Sequence, residues 1–352
     1  MKLTAQPQSL LEYIGKLSTL APVPLMDTHI AFVVSRTIIE AVDLGIFETL
    51  AERPKSIMEV AEDCRLSSYA LRSFLGTLTS SGYLKYKNEK FSLTKLSSKW
   101  MLKKNKQSLT NQILFLKILW GWMDDMNNFV KTGKSEQYHD HFTDGQADLY
   151  QKGMRSVARV SAGEVGKRTP VPKGATEMLD IGGAHGIFSV AICKNHPGLK
   201  STILDLPLAI QKAAPLLAQE KMGEVVIHKA GNALTEDLGK EKYDLIFIAN
   251  LMHHFTAEEN LRLVERVAIA LKPGGILAVQ EFIRPDKPKA SDQVGAALDL
   301  FFALSSTSGT WSIKEISQWQ KNAGLKIKKP VKFLTLPGAA QVVAEKIVRT
   351  VD

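Results

Sequence analysis

The chain has 352 residues, of which 45% are hydrophobic and 23% are charged, and its formal net charge is +9. That length exceeds what a single hydrophobic core usually supports, so two domains are expected, and the composition is ordinary for a soluble globular protein. The two cysteines, Cys64 and Cys193, are too few for a disulfide framework or a cysteine-based metal site and favour a reducing compartment.

No stretch approaches the roughly 20 apolar residues of a membrane-spanning helix, and the first residues, MKLTAQPQSLLEY, lack the apolar centre of a signal peptide. A cytoplasmic protein without a membrane partner is therefore predicted. The lysines concentrate in 85–90, 95–106 and 326–332, where the solvated faces of a hairpin, a helix and a strand explain most of the positive charge. Attraction to an acidic substrate or to nucleic acid stays open.

The first hundred residues predict a mainly helical unit that ends in a hairpin. Apolar side chains recur at helical spacing over 27–50, and Ser56-Ile-Met-Glu59 is a capping box that opens a short helix. A second helix follows over 67–81, and a hairpin follows over 83–93. This is the order of a winged helix-turn-helix.

That order raises DNA binding as an alternative function. A recognition helix should carry side chains that can read base edges. The helix over 67–81 offers Arg72 among apolar residues, so it is better suited to packing than to base recognition. Fold alone does not carry function, and no nucleic-acid partner is expected.

Residues 109–165 predict further helices with a break at Thr132-Gly133. Apolar and aromatic side chains are dense there, which is typical of a substrate pocket and equally of an interdomain or dimer core. With residues from the C-terminal half, they supply the predicted acceptor contacts: Trp122, Met126, Met154, Met252, His254 and Phe301. His139, Asp140 and His141 raise a metal site, but two histidines two residues apart lack further ligands at a recognisable spacing, so no metal is expected.

Residues 178–190, MLDIGGAHGIFSV, predict a strand, a tight turn and a helix. The strand ends in Asp180, and three glycines follow within six residues. Glycine lets the backbone turn sharply and approach a ligand closely, while the helix N-terminus offers free N–H groups. Asp205 ends the next apolar run and suits both hydroxyls of a ribose. The segment therefore predicts a nucleoside site.

The glycine spacing narrows the choice of nucleoside. A dinucleotide site would read G-x-G-x-x-G, whereas the turn here reads Gly-Gly-Ala-His-Gly, and the chain has no G-x-x-x-x-G-K-[ST] phosphate loop. A ligand without phosphates is expected, and S-adenosylmethionine fits. Asn232 can bond the adenine edge, although it equally suits a plain turn. The expected cofactor contacts are Asp180, Gly182, Gly183, Asp205, Leu206, Asn232, Ala233 and Asn250.

From residue 176 onward, strand and helix patterns alternate. This alternation predicts a mainly parallel, doubly wound sheet, whose ligand lies at the carboxyl ends of the strands where the winding reverses. Strands are expected at 176–182, 201–206, 224–230, 243–251, 275–283, 327–336 and 339–348.

The fourth of these strands, YDLIFIANLMHHF, delivers two histidines to the same edge. An imidazole titrates near the working pH and can take a proton from a hydroxyl that attacks a sulfonium methyl. Glu281 ends the fifth strand and can hold the other imidazole nitrogen, which fixes its tautomer. His253 and Glu281 are the predicted catalytic residues, and His254 is the lesser candidate. For a single histidine at a strand end, a structural hydrogen bond is the alternative.

These segments together resemble the S-adenosylmethionine-dependent O-methyltransferases that include plant caffeic acid and flavonoid enzymes, acetylserotonin methyltransferase, and bacterial enzymes acting on polyketides and carotenoids. The resemblance runs from about residue 25 to the end. It is carried by LDIGGAHG, DLP at 205–207, GNA at 231–233, DLIFIANLMHHF, Lys272-Pro-Gly-Gly275 and LPGAAQVVAEKI. It implies that His253 is the catalytic base, that Glu281 flanks it, and that the N-terminal unit forms a homodimer.

The sequence also departs from this pattern. His254 stands where an acidic residue often follows the base, and Asn232 replaces the usual aspartate. The second flanking glutamate of the plant enzymes falls on Thr310, and a basic residue before the base is replaced by Ala249 and Asn250. The cofactor assignment survives these departures, whereas the assignment of the acceptor is weakened.

The predicted fold class is α/β, with a doubly wound Rossmann-like methyltransferase sheet preceded by a mainly helical winged-helix dimerisation domain. The expected division is 1–108 for dimerisation, 109–165 as a helical connector that contributes to the substrate pocket, and 166–352 for the catalytic domain. The expected reaction is methylation of a hydroxyl on an aromatic or polyketide-like molecule. Methylation of carbon or nitrogen is the alternative on this fold, and a non-catalytic scaffold or DNA-binding protein is the alternative of another class.

Overall fold

The computed structural model describes residues 2–348 and divides into two compact units, one of residues 2–120 and one that begins at Gly121. Within the described residues no helix is both long and apolar enough to cross a membrane. The three-part division into 1–108, 109–165 and 166–352 remains a prediction.

The N-terminal unit is mainly helical and contains the predicted short hairpin, after which two further helices follow. Its elements are α1 Leu10–Leu17, α2 Val23–Leu25, α3 Ala31–Asp43, α4 Ile46–Thr49, α5 Ile57–Cys64, α6 Ser68–Ser80, β1 Leu84–Lys87, β2 Lys90–Leu93, α7 Lys95–Trp100 and most of α8 Thr110–Trp122. The predicted capping box is present, since the Ser56 hydroxyl accepts from the Glu59 amide and the Glu59 carboxylate accepts from the Ser56 amide.

The predicted long helix over 27–50 is interrupted. A π-helical turn occupies Met26–Ile30, and Gly45 separates α3 from α4. Gly45 adopts a left-handed conformation with φ of +73°, which ends a right-handed helix at little cost only when the residue is glycine.

The helix α6 packs inward, as its sequence indicates. Leu71, Leu75 and Leu78 recur at helical spacing and are buried against Phe47 in the core of the N-terminal unit. This face of α6 therefore forms part of the hydrophobic core of the N-terminal unit.

The second unit carries one mixed sheet flanked by helices. Its strands are β3 Glu177–Ile181, β4 Lys200–Asp205, β5 Val226–Ala230, β6 Tyr243–Ala249, β7 Leu271–Phe282, β8 Leu325–Ile327, β9 Val331–Lys332 and β10 Ala339–Lys346. Its helices are α9 Met126–Thr132, α10 Asp144–Arg168, α11 Ile187–Asn195, α12 Pro207–Ala218, α13 Ala257–Ala270, α14 Gln293–Ser305 and α15 Ile313–Asn322. The break after α9 is made by Gly133, whose φ is +69°.

The strand order is β5-β4-β3-β6-β7-β10-β8, and β9 pairs with β10. Strands β3 to β7 are parallel, whereas β10 is antiparallel to β7, β8 and β9. The winding reverses between β3 and β6, so the carboxyl ends of these two strands open the crevice where such sheets bind ligands. The predicted α/β class is confirmed.

One predicted strand is wrong in its extent. The run over 327–336 was expected to form a single strand, but the structure has the short β8 and β9 there, on either side of Pro330. Proline has no N–H to donate to a ladder, so the run cannot pair continuously.

The packing of α10 against α11 depends on a close approach at Gly166. A Cβ at that position would lie 2.5 Å from the Ala191 carbonyl oxygen and 2.8 Å from the Asn195 amide nitrogen. The exposed Gly163, one turn earlier on the same helix, has no atom within 4 Å of its ideal Cβ.

This difference gives a matched pair of variants. We expect Gly166→Ala to lower the free energy of unfolding by about 1–3 kcal/mol, because α11 must shift to admit the methyl group. Gly163→Ala should raise it by up to about 1 kcal/mol through helix propensity alone. Urea unfolding of both variants checks this, and a shift of the same sign in both would contradict the close approach at Gly166.

Candidate active site

The turn between β3 and α11 is held in one conformation by the neighbouring strand. Gly182 and Gly186 have φ of +73° and +71°, and Ala184 is also left-handed at +40°. The Gly182 amide donates to the Leu204 carbonyl at 2.8 Å. A Cβ on Gly183 would lie 2.4 Å from a carboxylate oxygen of Asp180, so glycine is needed at this position for space.

Asp180 is buried beneath this turn. Its Oδ2 accepts from the Ser189 hydroxyl at 2.6 Å, whereas its Oδ1 has no hydrogen-bond partner. Burial raises the pKa of Asp180 to about 7, against the lowering effect of the Ser189 bond. Leaving a buried carboxylate oxygen unbonded costs free energy, so this oxygen is available to accept a hydrogen bond from a ligand.

Asp205, the predicted ribose contact, also organises the turn. Its Oδ2 accepts from the Ala184 amide at 2.9 Å, and its Oδ1 accepts from the Leu206 amide at 2.7 Å. Burial raises its pKa, and these two backbone bonds oppose that rise. Each carboxylate oxygen can accept one more hydrogen bond, so Asp205 can bind both hydroxyls of a ribose.

The segment after β5 forms a tight loop. The Asn232 side-chain oxygen accepts from the Leu234 amide at 2.9 Å, which is the turn role that the sequence left open for this residue. Arg266 on α13 donates to the Ala233 carbonyl at 2.7 Å and to the Glu236 carbonyl. Sequence analysis missed Arg266, because a helical arginine on α13 carries no local signal that its side chain holds a loop.

The parallel pairing of β6 and β7 brings the predicted catalytic residues together. Ala249 pairs with Gln280, so Asn250 and Glu281 leave the sheet side by side. Asn250 is left-handed at φ +50°, and its side-chain oxygen is buried without a partner, as is Asp180 Oδ1. The two buried oxygens lie at the ends of β6 and β3, the strands between which the winding reverses.

Glu281 is fully buried and binds the turn that carries both histidines. Its Oε1 accepts from the Leu251 amide at 2.7 Å and from the Met252 amide at 2.8 Å. Its Oε2 lies 3.3 Å from Nδ1 of His253, which is itself almost completely buried. Because an ionised carboxylate only accepts, this contact assigns the proton to Nδ1 and leaves Nε2 as the basic nitrogen.

Two residues between α14 and α15 also hydrogen-bond the turn that carries the histidines. The Ser308 amide donates to the His253 carbonyl at 3.0 Å, and Trp311 Nε1 donates to the Met252 carbonyl at 2.9 Å. Thr310, the predicted counterpart of the second flanking glutamate, is buried and donates to Asp299 Oδ1 at 3.1 Å. Thr310 therefore hydrogen-bonds a carboxylate from α14.

Aromatic side chains from four separate segments form a closed circuit of ring contacts, which we call the acceptor wall. His253 stacks on Phe302 at 3.9 Å between ring centroids, and Phe301 lies 6.2 Å from Trp122 with nearly parallel planes. The circuit runs, in order of contact, through His253, His254, His139, Trp122, Phe301 and Phe302 and back to His253.

Three further aromatic residues extend the wall, and sequence analysis missed them. Tyr138 stacks on Trp122 at 4.4 Å, and Tyr150 and Phe142 both contact His139. Burial and the nearby charge of Asp205 raise the pKa of Tyr150 to about 12, so this phenol stays protonated between the nucleoside crevice and the wall. Tyr138 lies in the 3-10 turn Tyr138–His141, Phe142 follows it, and Tyr150 lies on α10, so no single periodic element predicts that they share a face.

The remaining predicted acceptor contacts are less informative. Met126 and Met154 lie partly buried on α9 and α10. Met252 is fully buried in the core cluster of the sheet, and its carbonyl accepts from both Trp311 and Asn260. A contact of these three methionines with an acceptor remains a prediction. The side chain of Asp140, a member of the metal candidate raised from the sequence, lies outside the described residues. Among the side chains that the structure describes, no three histidine, cysteine or acidic groups lie together in a way that would hold a metal ion.

Two family models match the chain: the O-methyltransferase domain over residues 104–326 and the O-methyltransferase dimerisation domain over residues 26–103. A 3-hydroxy-5-methyl-1-naphthoate 3-O-methyltransferase of Streptomyces sahachiroi is 22% identical over 334 residues, covering 92% of this chain and 94% of the relative. A mitomycin biosynthesis 6-O-methyltransferase of Streptomyces lavendulae is 24% identical over 308 residues, covering 84% of this chain and 86% of the relative.

A solved structure of human N-acetylserotonin methyltransferase in complex with SAM is similar to this chain with a TM-score of 0.80. The two sequences are 19% identical, and the match covers 98% of this chain and 100% of that one. At this identity the match shows the shared fold.

The unpartnered oxygen of Asp180 predicts a pH dependence of cofactor binding. With a pKa of about 7, the carboxyl is neutral at lower pH and anionic at higher pH. S-adenosylmethionine is cationic, so we expect its affinity to rise several-fold between roughly pH 6 and roughly pH 8. In Asp180→Asn the affinity should vary less with pH, and the remaining variation should come from titration of the ligand's own amino group. Calorimetric titrations at several pH values measure this, and identical pH profiles for both proteins would contradict the role of Asp180.

Proposed function

Because the chain belongs to the O-methyltransferase family, we propose that it transfers a methyl group from S-adenosylmethionine to a hydroxyl of an aromatic or polyketide-like small molecule. The observation that carries the proposal is the pairing of His253 with the buried Glu281 at the edge of the nucleoside crevice. The family match favours this interpretation over a DNA-binding regulator or a silent scaffold. A cytoplasmic location remains the sequence-based prediction.

The residues of the crevice fit the proposed cofactor. Asp205 would hold the ribose hydroxyls, and the glycine turn would pass beneath the methionine part without a Cβ in the way. The unpartnered oxygens of Asp180 and Asn250 would accept from the ligand's amino groups. When bound, S-adenosylmethionine supplies a methyl group on a sulfonium sulfur and leaves as S-adenosylhomocysteine.

His253 would act as the general base. Its Nε2 takes the proton of the acceptor hydroxyl, and the freed electron pair makes that oxygen the nucleophile. Glu281 stabilises the imidazolium that forms, because its Oε2 accepts from Nδ1 while its Oε1 is already satisfied by two backbone amides. The proton then passes from His253 to solvent.

The acceptor wall supports an aromatic acceptor. Its rings present large flat apolar surfaces, which stack on other aromatic systems by about 0.5–1.5 kcal/mol per pair beyond burial. The acceptor named for the Streptomyces sahachiroi relative, 3-hydroxy-5-methyl-1-naphthoate, is aromatic and supports the same class of molecule for this chain. The match to the O-methyltransferase domain favours oxygen over carbon or nitrogen as the methylated atom.

Two variants separate binding from chemistry. We expect His253→Ala to lower turnover about 10²–10⁴-fold while the dissociation constant of S-adenosylmethionine stays within about twofold, because the imidazole acts on the acceptor. Asp205→Ala should instead weaken the cofactor by at least about tenfold, because a buried acceptor of two ribose hydroxyls is lost.

Calorimetry with the cofactor and a mass-spectrometric screen of phenols and polyketides for the gain of one methyl measure both effects. His141→Ala, at an exposed histidine, serves as the control and should change neither quantity. Normal turnover in His253→Ala would refute the base assignment, and an absence of cofactor binding in the wild type would refute the proposed function.

We also propose a homodimer formed through the N-terminal unit, which matches the dimerisation model over 26–103. The support is an exposed apolar surface: α1 buries none of its residues within its own chain, and Leu11 and Leu20 are 80% and 83% exposed. Isolated exposed leucines are ordinary, but a run of exposed apolar side chains along α1 and the linker that follows it is typical of an interface.

Analytical ultracentrifugation tests the dimer. We expect a mass of twice the 38.9-kDa chain, and a shift towards the monomer in the double variant Leu11→Lys, Leu20→Lys, because two charges would be buried without partners. Leu334→Lys is the matched control, since Leu334 is 89% exposed in the other unit and should leave the mass unchanged. A monomeric wild type would contradict the proposal.

A further inference from the structure

Two imidazoles, rather than one, face the acceptor wall. His253 and His254 are consecutive residues of the 3-10 turn Met252–His254, and their ring centroids lie 4.4 Å apart with planes inclined by 45°. Both rings belong to the closed circuit of contacts that also contains Phe302 and His139.

The two rings are held by different partners. His253 is fixed by the carboxylate of Glu281 and by stacking on Phe302. His254 instead stands edge-on to His139, with ring centroids 5.0 Å apart and planes inclined by 88°. His139 is in turn packed by Trp122 and Tyr150. Neither imidazole therefore depends on the other for its orientation.

The surroundings of His254 keep it neutral. Burial lowers its pKa to about 2, and the neighbouring His253 and His139 add to that effect. A neutral imidazole carries one donor nitrogen and one acceptor nitrogen. Such a ring is a hydrogen-bonding group at working pH and is not a second store for the proton that His253 removes.

We propose that His254 binds a second oxygen of the acceptor, next to the hydroxyl that His253 deprotonates, so that the preferred acceptors are aromatic molecules with two neighbouring oxygen atoms. The inference rests on the proposed methyl transfer and on His253 as its base. Two oxygens on adjacent ring carbons lie about 2.7 Å apart, which is the length of an ordinary O–H···O contact. Two imidazoles at 4.4 Å can each reach one of such a pair.

This arrangement makes His254 a specificity residue. A site that hydrogen-bonds a substrate oxygen discriminates against the molecule that lacks it, because the buried polar group is then left without a partner. The sequence also indicates a specific role for His254, since this residue stands where the family often carries an acidic residue. An imidazole can donate to or accept from a second oxygen, whereas an ionised carboxylate can only accept.

Two isomeric probes test the proposal by binding rather than by turnover. The protein is first saturated with S-adenosylhomocysteine, and 2,3-dihydroxynaphthalene and 2,7-dihydroxynaphthalene are then titrated separately by calorimetry. The isomers share their ring, mass and number of hydroxyls, and only the first has neighbouring oxygens. We expect the 2,3-isomer to bind at least about tenfold more tightly in the wild type, as one hydrogen bond at a buried site allows.

The variants locate the preference. His254→Phe keeps a flat ring but loses both nitrogens, so the two isomers should then bind within about twofold of each other. His254→Asn keeps a donor and an acceptor and should restore part of the preference. His141→Phe is the matched control at an exposed histidine and should retain the full preference. Unfolding midpoints and S-adenosylhomocysteine affinity show that each variant is folded.

Equal affinity for the isomers in the wild type overturns the proposal, as does failure of the protein to bind either isomer. An unchanged preference in both His254→Phe and His254→Asn would assign the selectivity to another residue and would also overturn it. The proposed function fails by a separate result, namely no binding of S-adenosylhomocysteine in the first step or no methyl transfer to any acceptor in the screen.

Discussion

The buried carboxylate of Glu281 is the interaction on which the candidate site depends. An ionised carboxylate in the interior is costly unless its oxygens are bonded, and Glu281 meets this requirement with two backbone amides and the ring of His253. The same bonds fix the 3-10 turn Met252–His254 and therefore both imidazoles. One charged side chain at the end of β7 thus sets the position of the proposed base and of its neutral neighbour.

The nucleoside crevice follows from the order of the strands. Parallel strands end at one edge, and the reversal between β3 and β6 leaves that edge open. Asp205 closes the glycine turn through the Ala184 amide, while Asp180 and Asn250 keep buried oxygens unpaired. A fold that leaves two such oxygens unsatisfied accepts a cost in stability, which a bound ligand with matching donors would remove.

The acceptor wall has a different origin, because no single element supplies it. Trp122 is the last residue of α8, His139 lies in the 3-10 turn Tyr138–His141, and Phe301 and Phe302 come from α14. Their rings meet only because the chain brings these segments to the edge where β6 ends. Under the proposed function, changes in these segments would alter the choice of acceptor and leave the cofactor crevice undisturbed.

The sequence by itself determined the α/β class, the glycine turn, the strand-end carboxylates and the pairing of His253 with Glu281, because each follows from local periodicity or from the rule that parallel strands end together. The tertiary structure alone decided the split of the strand over 327–336 and the contact of His254 with His139. It also decided that Arg266 hydrogen-bonds the loop after β5. These features join residues far apart in the chain, and side-chain packing between distant segments leaves no repeating pattern in the sequence.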